Sequence, residues 1–200
     1  DADRCLAVDA RGRVVDGDAV LTAVGADLHA RGLLPGSTVV GTVMTNFGLE
    51  KFLRERGIAL ERTPVGDKYI SSRLREGGFA LGGEPSGHLI FGADLSYLGD
   101  GLYTALRVAE LCGRQGARLG ELGRHFQASP QVLLGVKVAH RPPLEEVEGF
   151  KEILADAEER LDGEGRVLIR YSGTEPLVRV MVEGPDARTL RSLADNLASF

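Results

Sequence analysis

Cysteine is scarce in this chain. There are two in 200 residues, Cys5 and Cys112, each in an apolar setting. Two thiols so far apart make no disulfide framework and read as buried free thiols in a reducing compartment. Long apolar runs are missing too. No stretch approaches the roughly 20 residues needed to cross a bilayer, so no membrane role is expected. Nothing resembles a secretion signal, and the expected location is the cytoplasm. A basic excess is absent: 24 Lys and Arg against 29 Asp and Glu leave a formal charge of −5. That gives no field of the kind that holds nucleic acid. Internal repeats and low-complexity tracts are also lacking. What remains is 43% hydrophobic residues and 27 glycines, sufficient to bury a core in one or two domains.

Hydrophobic periodicity divides the chain. Strand signals at 5–8, 37–44, 58–60, 79–81 and 89–91 alternate with helical ones. Asp16 opens a helix with Val20, Leu21, Val24 and Leu28 on one face. Asn46 caps a second, burying Leu49, Phe52 and Leu53 and stopping at Gly57. Asp67 caps a third that ends at Gly77-Gly78. Asp100 opens a fourth whose apolar positions are Leu102, Ala105, Leu106, Ala109 and Cys112. A short last helix carries Leu119, Leu122 and Phe126. The pattern predicts a three-layer α/β sandwich over 16–127. After a break at 127–130 come a strand over 132–138, a helix through Phe150, Leu154 and Leu161, a strand pair, and a helix with Leu190, Leu193 and Leu197. That predicts a small α+β domain over 131–200, an antiparallel sheet with helices on one face.

Three loops carry chemistry. Arg170-Tyr171-Ser172-Gly173-Thr174-Glu175-Pro176, with Arg179 beyond, lies between the paired strands. Arginine's planar fork fits a pair of phosphate oxygens, hydroxyls add donors, and glycine lets backbone N–H groups approach an anion. On residue types alone, an ordinary hairpin with solvated arginines fits as well. Gly83-Glu84-Pro85-Ser86-Gly87-His88 puts a carboxylate, a hydroxyl and an imidazole in a glycine-bounded loop, a set suited to sugar hydroxyls that both donate and accept. A lone His in such a loop is more often structural than catalytic. Asp1 and Asp3 are hard oxygen donors suited to Mg²⁺, although an Asp-x-Asp pair is commonly a solvated turn. His29, His125 and His140 have no partner residues nearby in sequence and read as structural or exposed.

Taken in this order, the loops resemble the α-D-phosphohexomutase superfamily, whose motifs are DGDxDR, GExSGH and RxSGTEPxxR. The second and third are complete here, and the first begins at its third position. The tracts at 41–50, 65–69, 99–101 and 180–184 resemble the branch that acts on an amino-sugar phosphate. Pro85 and Tyr171 depart from it, standing where Gln and Lys are common.

The resemblance implies a phosphosugar substrate and an isomerase that exchanges the 6- and 1-phosphates of glucosamine. The exchange would run through a phosphoserine and a bisphosphorylated intermediate, feeding cell-wall precursors. Mannose or glucose phosphates are the alternative substrates, and a non-catalytic phosphosugar-binding module is the alternative class. Residues 1–15 would end the metal-loop domain. The phosphoserine domain would lie upstream, so the chain alone is expected to be inactive. Arg170, Ser172, Gly173, Thr174 and Arg179 are implied phosphate ligands, and Glu84, Ser86 and Lys68 implied sugar ligands. Arg4 and His88 are implied catalytic groups. Asp1 and Asp3 are two of three implied Mg²⁺ ligands, so metal binding by this chain is expected to be weak. The resemblance leaves room for a homodimer.

Overall fold

Asp9 turns the chain back on itself near its start. Its carboxylate accepts N–H bonds from Arg11 and Arg13 at 2.8 and 2.9 Å and one from the Arg13 guanidinium at 2.8 Å. The Arg13 contacts hold its acid well below the usual carboxylate range, at about 2. The turn pairs β1 (Ala7–Val8) with β2 (Val14–Val15), so the strand expected from Cys5 is shorter than predicted. In the computed structural model, which describes residues 1–122, 126–173 and 175–199, the chain falls into two units, Asp1–Ala128 and Ser129–Phe200.

In the first unit Asp16 caps α1 (Gly17–Ala30), its carboxylate accepting from the Ala19 N–H at 2.9 Å. The four predicted apolar positions are buried, and so are Gly17, Asp18, Ala19, Thr22, Ala23 and Gly25. The helix is thus enclosed on most sides, which its small residues permit. β3 (Thr38–Thr42) is buried throughout. Successive strand residues face opposite ways, and here Val39 joins one apolar cluster and Val40 another. The Val39 cluster holds α1, α2 (Phe47–Arg54), and parts of α4 (Gly101–Gln115) and α5 (Leu119–Leu122). The Val40 cluster holds Ile70 and Leu74 of α3 (Asp67–Gly77). Helices therefore cover both faces of a four-stranded sheet. Its order is β4 (Ala59–Thr63), β3, β5 (Gly82–Gly83), β6 (Leu89–Ile90), with β3 parallel to β4 and β5 and β6 antiparallel to β5. Each fully buried leucine, such as Leu21, Leu49 or Leu53, contributes about 2 kcal/mol.

Two local readings are corrected. Asp67 does not cap α3. The N-cap is Gly66 at φ 131°, and no side chain caps the helix. Helix α4 turns the other way round from its periodicity. It buries Gly101, Thr104, Val108 and Leu111, and leaves Leu102 72% and Leu106 61% exposed. The helix start decides this. A Cβ on Gly101 would stand 2.3 Å from the Arg4 carbonyl, so that position must face the protein. Thr104 enters the interior cheaply because its hydroxyl donates to Asp100 O at 2.7 Å. The cysteines are half-buried and unpaired, and burial pushes the Cys112 thiol up.

The second unit is built on β7 (Gln131–Lys137), α6 (Phe150–Leu161), β8 (Arg166–Tyr171), β9 (Leu177–Glu183) and α7 (Ala187–Ser199). The sheet order is β7-β9-β8, antiparallel throughout. Val180 and Val182 pack on Ala157, Leu161, Leu190, Leu193, Ala194 and Leu197, so both helices cover one face. Glu183 is fully buried and accepts from Arg166 at 2.5 Å across the pair they form in β8 and β9. Among the described residues, no helix is long and apolar enough to cross a membrane.

Candidate functional site

Strands β3, β4 and β5 run parallel, and the carboxyl ends of such strands are where open α/β sheets bind ligands. Glu84 follows β5 directly. Residues 84–88 form a tight hairpin between β5 and β6: the Gly87 N–H donates to Glu84 O at 3.0 Å, and the Glu84 N–H to His88 O at 2.9 Å. Gly87 sits at φ 87°, the left-handed residue that a three-residue hairpin loop needs. Glu84 is almost buried, and both its oxygens are engaged. Oε1 accepts from the Gly66 N–H at 2.9 Å and Oε2 from the Ser86 hydroxyl at 3.3 Å. Carboxylate oxygens carry further lone pairs, so Glu84 can still accept from a ligand while anchoring the loop after β4. Ser86, two positions on, and Lys68, two positions after Gly66, are exposed, and the Lys68 ammonium lies 4.8 Å from the Tyr69 ring.

The amino-terminal segment meets the same hairpin through Asp3 and Cys5. The Cys5 N–H donates to Gly87 O at 3.0 Å, and Asp3 Oδ2 lies 3.3 Å from Nδ1 of His88, which is 4% exposed. The Gly101 N–H donates to Ala2 O at 2.8 Å. On the opposite side, the Gly17 N–H donates to Pro85 O at 3.1 Å. Segments 1–5, 83–88 and 99–101, far apart in sequence, are thus one constellation. Asp1 and Arg4 are exposed. Among the described residues no three His, Cys, Asp or Glu groups gather to hold an ion. Asp1 and Asp3 carry carboxylates, the hard oxygen donors that Mg²⁺ takes.

In the second unit Arg170 and Arg179 are direct partners across β8 and β9. Their side chains share a face, and like charges placed so oppose each other. Gly135 of β7 is the partner of Arg179 on its other side, adding no side chain there. Arg179 reaches the Glu175 carboxylate at 2.9 Å. Ser172 is buried rather than offered outward; its oxygen accepts from the Glu175 N–H at 3.3 Å, which shapes the turn. Gly173 is exposed, and a Cβ there would meet nothing within 4 Å. The fold itself therefore gives no steric reason for glycine at this position. Thr174 and His125 lie outside the described residues; His29 is half-buried and His140 exposed. Sequence reading missed Arg141, whose guanidinium donates to Glu175 O at 2.6 Å, and the loop anchors Gly17 and Gly66. A glycine at or before a helix start was their one signal.

Comparison with known proteins follows this geometry. The family described as phosphoglucomutase/phosphomannomutase, alpha/beta/alpha domain III, matches residues 16–129, and the C-terminal domain of the same family matches 133–200. The phosphoglucosamine mutase of Symbiobacterium thermophilum is 48% identical over 198 residues, 99% of this chain and 44% of that protein. That of Bdellovibrio bacteriovorus is 43% identical over 200 residues, all of this chain and 44% of that protein. The chain thus spans under half the length of these relatives. Among solved structures, Aspergillus fumigatus N-acetylphosphoglucosamine mutase in complex with GlcNAc-6P and magnesium superposes with a TM-score of 0.81. It is 22% identical, and the match covers 100% of this chain and 50% of that one, a likeness of fold.

Proposed function

The chain belongs to the phosphoglucomutase/phosphomannomutase family, and from that premise we propose that it is the sugar- and phosphate-binding part of a phosphoglucosamine mutase. The reaction is the exchange of a phosphoryl group between the 6- and 1-oxygens of glucosamine, through a phosphoserine on a part of the enzyme outside these 200 residues. One observation carries the reading: two arginines stand opposite each other beside a glycine that nothing crowds. That arrangement opposes folding slightly and suits a dianion well.

In this reading Arg170 and Arg179 grip the phosphate that is not reacting, helped by the Gly173 N–H and, by motif, Thr174. Ser172 holds the turn. Glu84 accepts from sugar hydroxyls while Ser86 and Lys68 donate. Arg4 reaches the phosphate being transferred. Asp1 and Asp3 would hold Mg²⁺, which when bound offsets the negative charge of the transferring group. Glucosamine, not mannose, is the sugar because the relatives similar over the whole chain carry that activity in their names.

The test is steady-state kinetics of the intact enzyme with glucosamine 6-phosphate and mannose 6-phosphate. A kcat/KM ratio of about 10² or more in favour of the amino sugar is expected, as when a site is built to bond a substrate's polar group. The isolated 200-residue chain is expected to turn over neither. Preference for mannose 6-phosphate, or turnover by the chain alone, would overturn the reading.

A further inference from the structure

His88 has the look of a proton carrier in the sequence, and Gly99-Asp100-Gly101 is a motif with no assigned task. Their geometry ties them together. A general acid or base must reach the substrate at roughly 2.6–3.2 Å or through one water. The His88 ring is 4% exposed, and its Nε2 has no hydrogen-bond partner among the described residues. That nitrogen abuts Gly99 so closely that a Cβ there would stand 2.2 Å from it. The other nitrogen, Nδ1, is the one near Asp3 Oδ2, at 3.3 Å.

Asp100 fixes where the two glycines stand. Its carboxylate accepts from the Tyr103 N–H at 2.8 Å and so sets the first turn of α4. Gly99 then leaves room for the imidazole. Gly101 leaves room for the Arg4 carbonyl and donates its N–H to Ala2 O. Ala2 is held at φ 59°, a conformation that a non-glycine residue keeps only under such restraint. The turn at Ala2 lies between Asp1 and Asp3 and therefore governs how the two carboxylates are presented.

We infer that His88 is a positioning residue for the aspartate loop, and that the Gly-Asp-Gly turn is the seat on which both rest. Nδ1 of His88, 3.3 Å from Asp3 Oδ2, holds that side of the carboxylate and leaves Oδ1 to face a divalent cation. Carboxylates that bind metals are commonly oriented by such second contacts. The cation rests on the proposed function; the seating of the loop does not.

Two readings on the isotope-labelled 200-residue chain test this separately. In the parent chain, above the pH at which imidazole titrates, a long-range proton–nitrogen spectrum is expected to place the His88 proton on Nδ1. A proton on Nε2 would overturn the positioning role whether or not any variant folds. For the variants, His88→Asn keeps a donor close to the Nδ1 position and His88→Phe keeps only the bulk. His88→Phe is expected to cut hydrogen-exchange protection of the Cys5 and Gly101 amides by about tenfold, the loss of roughly one hydrogen bond, while His88→Asn retains it. Equal loss in both variants, or none in either, would overturn the inference. Mn²⁺ added to the parent chain is expected to broaden the Asp3 resonances first. It should do so about tenfold less effectively in His88→Phe. No Mn²⁺ effect at Asp3 would overturn the cation assignment and leave the loop seating to the exchange data.

Discussion

Replacing Arg179 by glutamine is expected to weaken binding of glucosamine 6-phosphate to the 200-residue chain by roughly 10- to 150-fold, the equivalent of about 1.5–3 kcal/mol for charge-assisted bonds to phosphate. Thermal stability is expected to change little. The ion pair of Arg179 with Glu175 is substantially exposed, at 35% and 55%, and such pairs are worth about 0–1 kcal/mol. Against it stands the repulsion between Arg170 and Arg179 across the strand pair, of similar size and opposite sign. A residue held for the fold would lose stability and affinity together; one held for a ligand loses affinity alone. Lysine at 179 should recover only part of the loss, since an ammonium cannot reproduce the guanidinium fork. Titration calorimetry and a melting curve on the same sample decide between these outcomes. A Tm falling in proportion to affinity would mark Arg179 as structural.

Gly17→Ala is expected to disable the 84–88 hairpin without replacing any residue proposed to meet the substrate. The Gly17 N–H holds Pro85 O, and a Cβ there would stand 1.9 Å from the Glu84 carbonyl oxygen and 3.0 Å from the Gly87 nitrogen. Backbone on both sides leaves the methyl nowhere to go, so the hairpin must shift. Overpacking of this kind costs about 1–3 kcal/mol of stability. Displacing a binding group by about 1 Å can cost 10²-fold in rate. In the intact enzyme, kcat/KM for glucosamine 6-phosphate is therefore expected to fall by about 10²-fold. Gly113→Ala is the control: it lies inside α4, where a Cβ meets nothing within 4 Å. It should gain about 0.5–1 kcal/mol in stability and leave kinetics unchanged. Unaltered activity in Gly17→Ala would mean that Glu84 and Ser86 are not placed by this packing.

The two larger sheets were legible in outline from apolar runs such as 37–44 and 89–91, but β5 falls at Gly82–Gly83 instead of 79–81, and the β1–β2 pair was not foreseen. Asp16, Asn46 and Asp100 cap the helices that periodicity assigns to them. The misreadings arise where tertiary demands outrank local pattern. The helical spacing of Leu102, Ala105, Leu106 and Ala109 invites burial, yet the close approach of Arg4 to Gly101 turns that face of α4 outward. Asp67 is a good capping residue, but Gly66 at φ 131° opens the helix one position earlier, so Asp67 already stands in its first turn. Within residues 170–179, the residue types and the flanking strands could be read directly, while the pairing of Arg170 with Arg179 came only from the structure. That Ser172 folds inward to hold Glu175 could not, because a hydroxyl serves a turn or a ligand equally well. The contact between His88 and Asp3 spans 85 positions and leaves no periodic trace.

The central claim, that residues 170–179 grip a phosphate, is tested most directly by titrating the isotope-labelled chain with inorganic phosphate and, separately, with glucosamine 6-phosphate. Phosphate alone is expected to shift the amides of Gly173 and Glu175 and the guanidinium signals of Arg170 and Arg179, leaving Glu84 and Ser86 unmoved. The sugar phosphate is expected to shift the same signals of Gly173, Glu175, Arg170 and Arg179. Shifts spread over the other surface arginines, with Gly173 and Arg179 unchanged, would contradict the account.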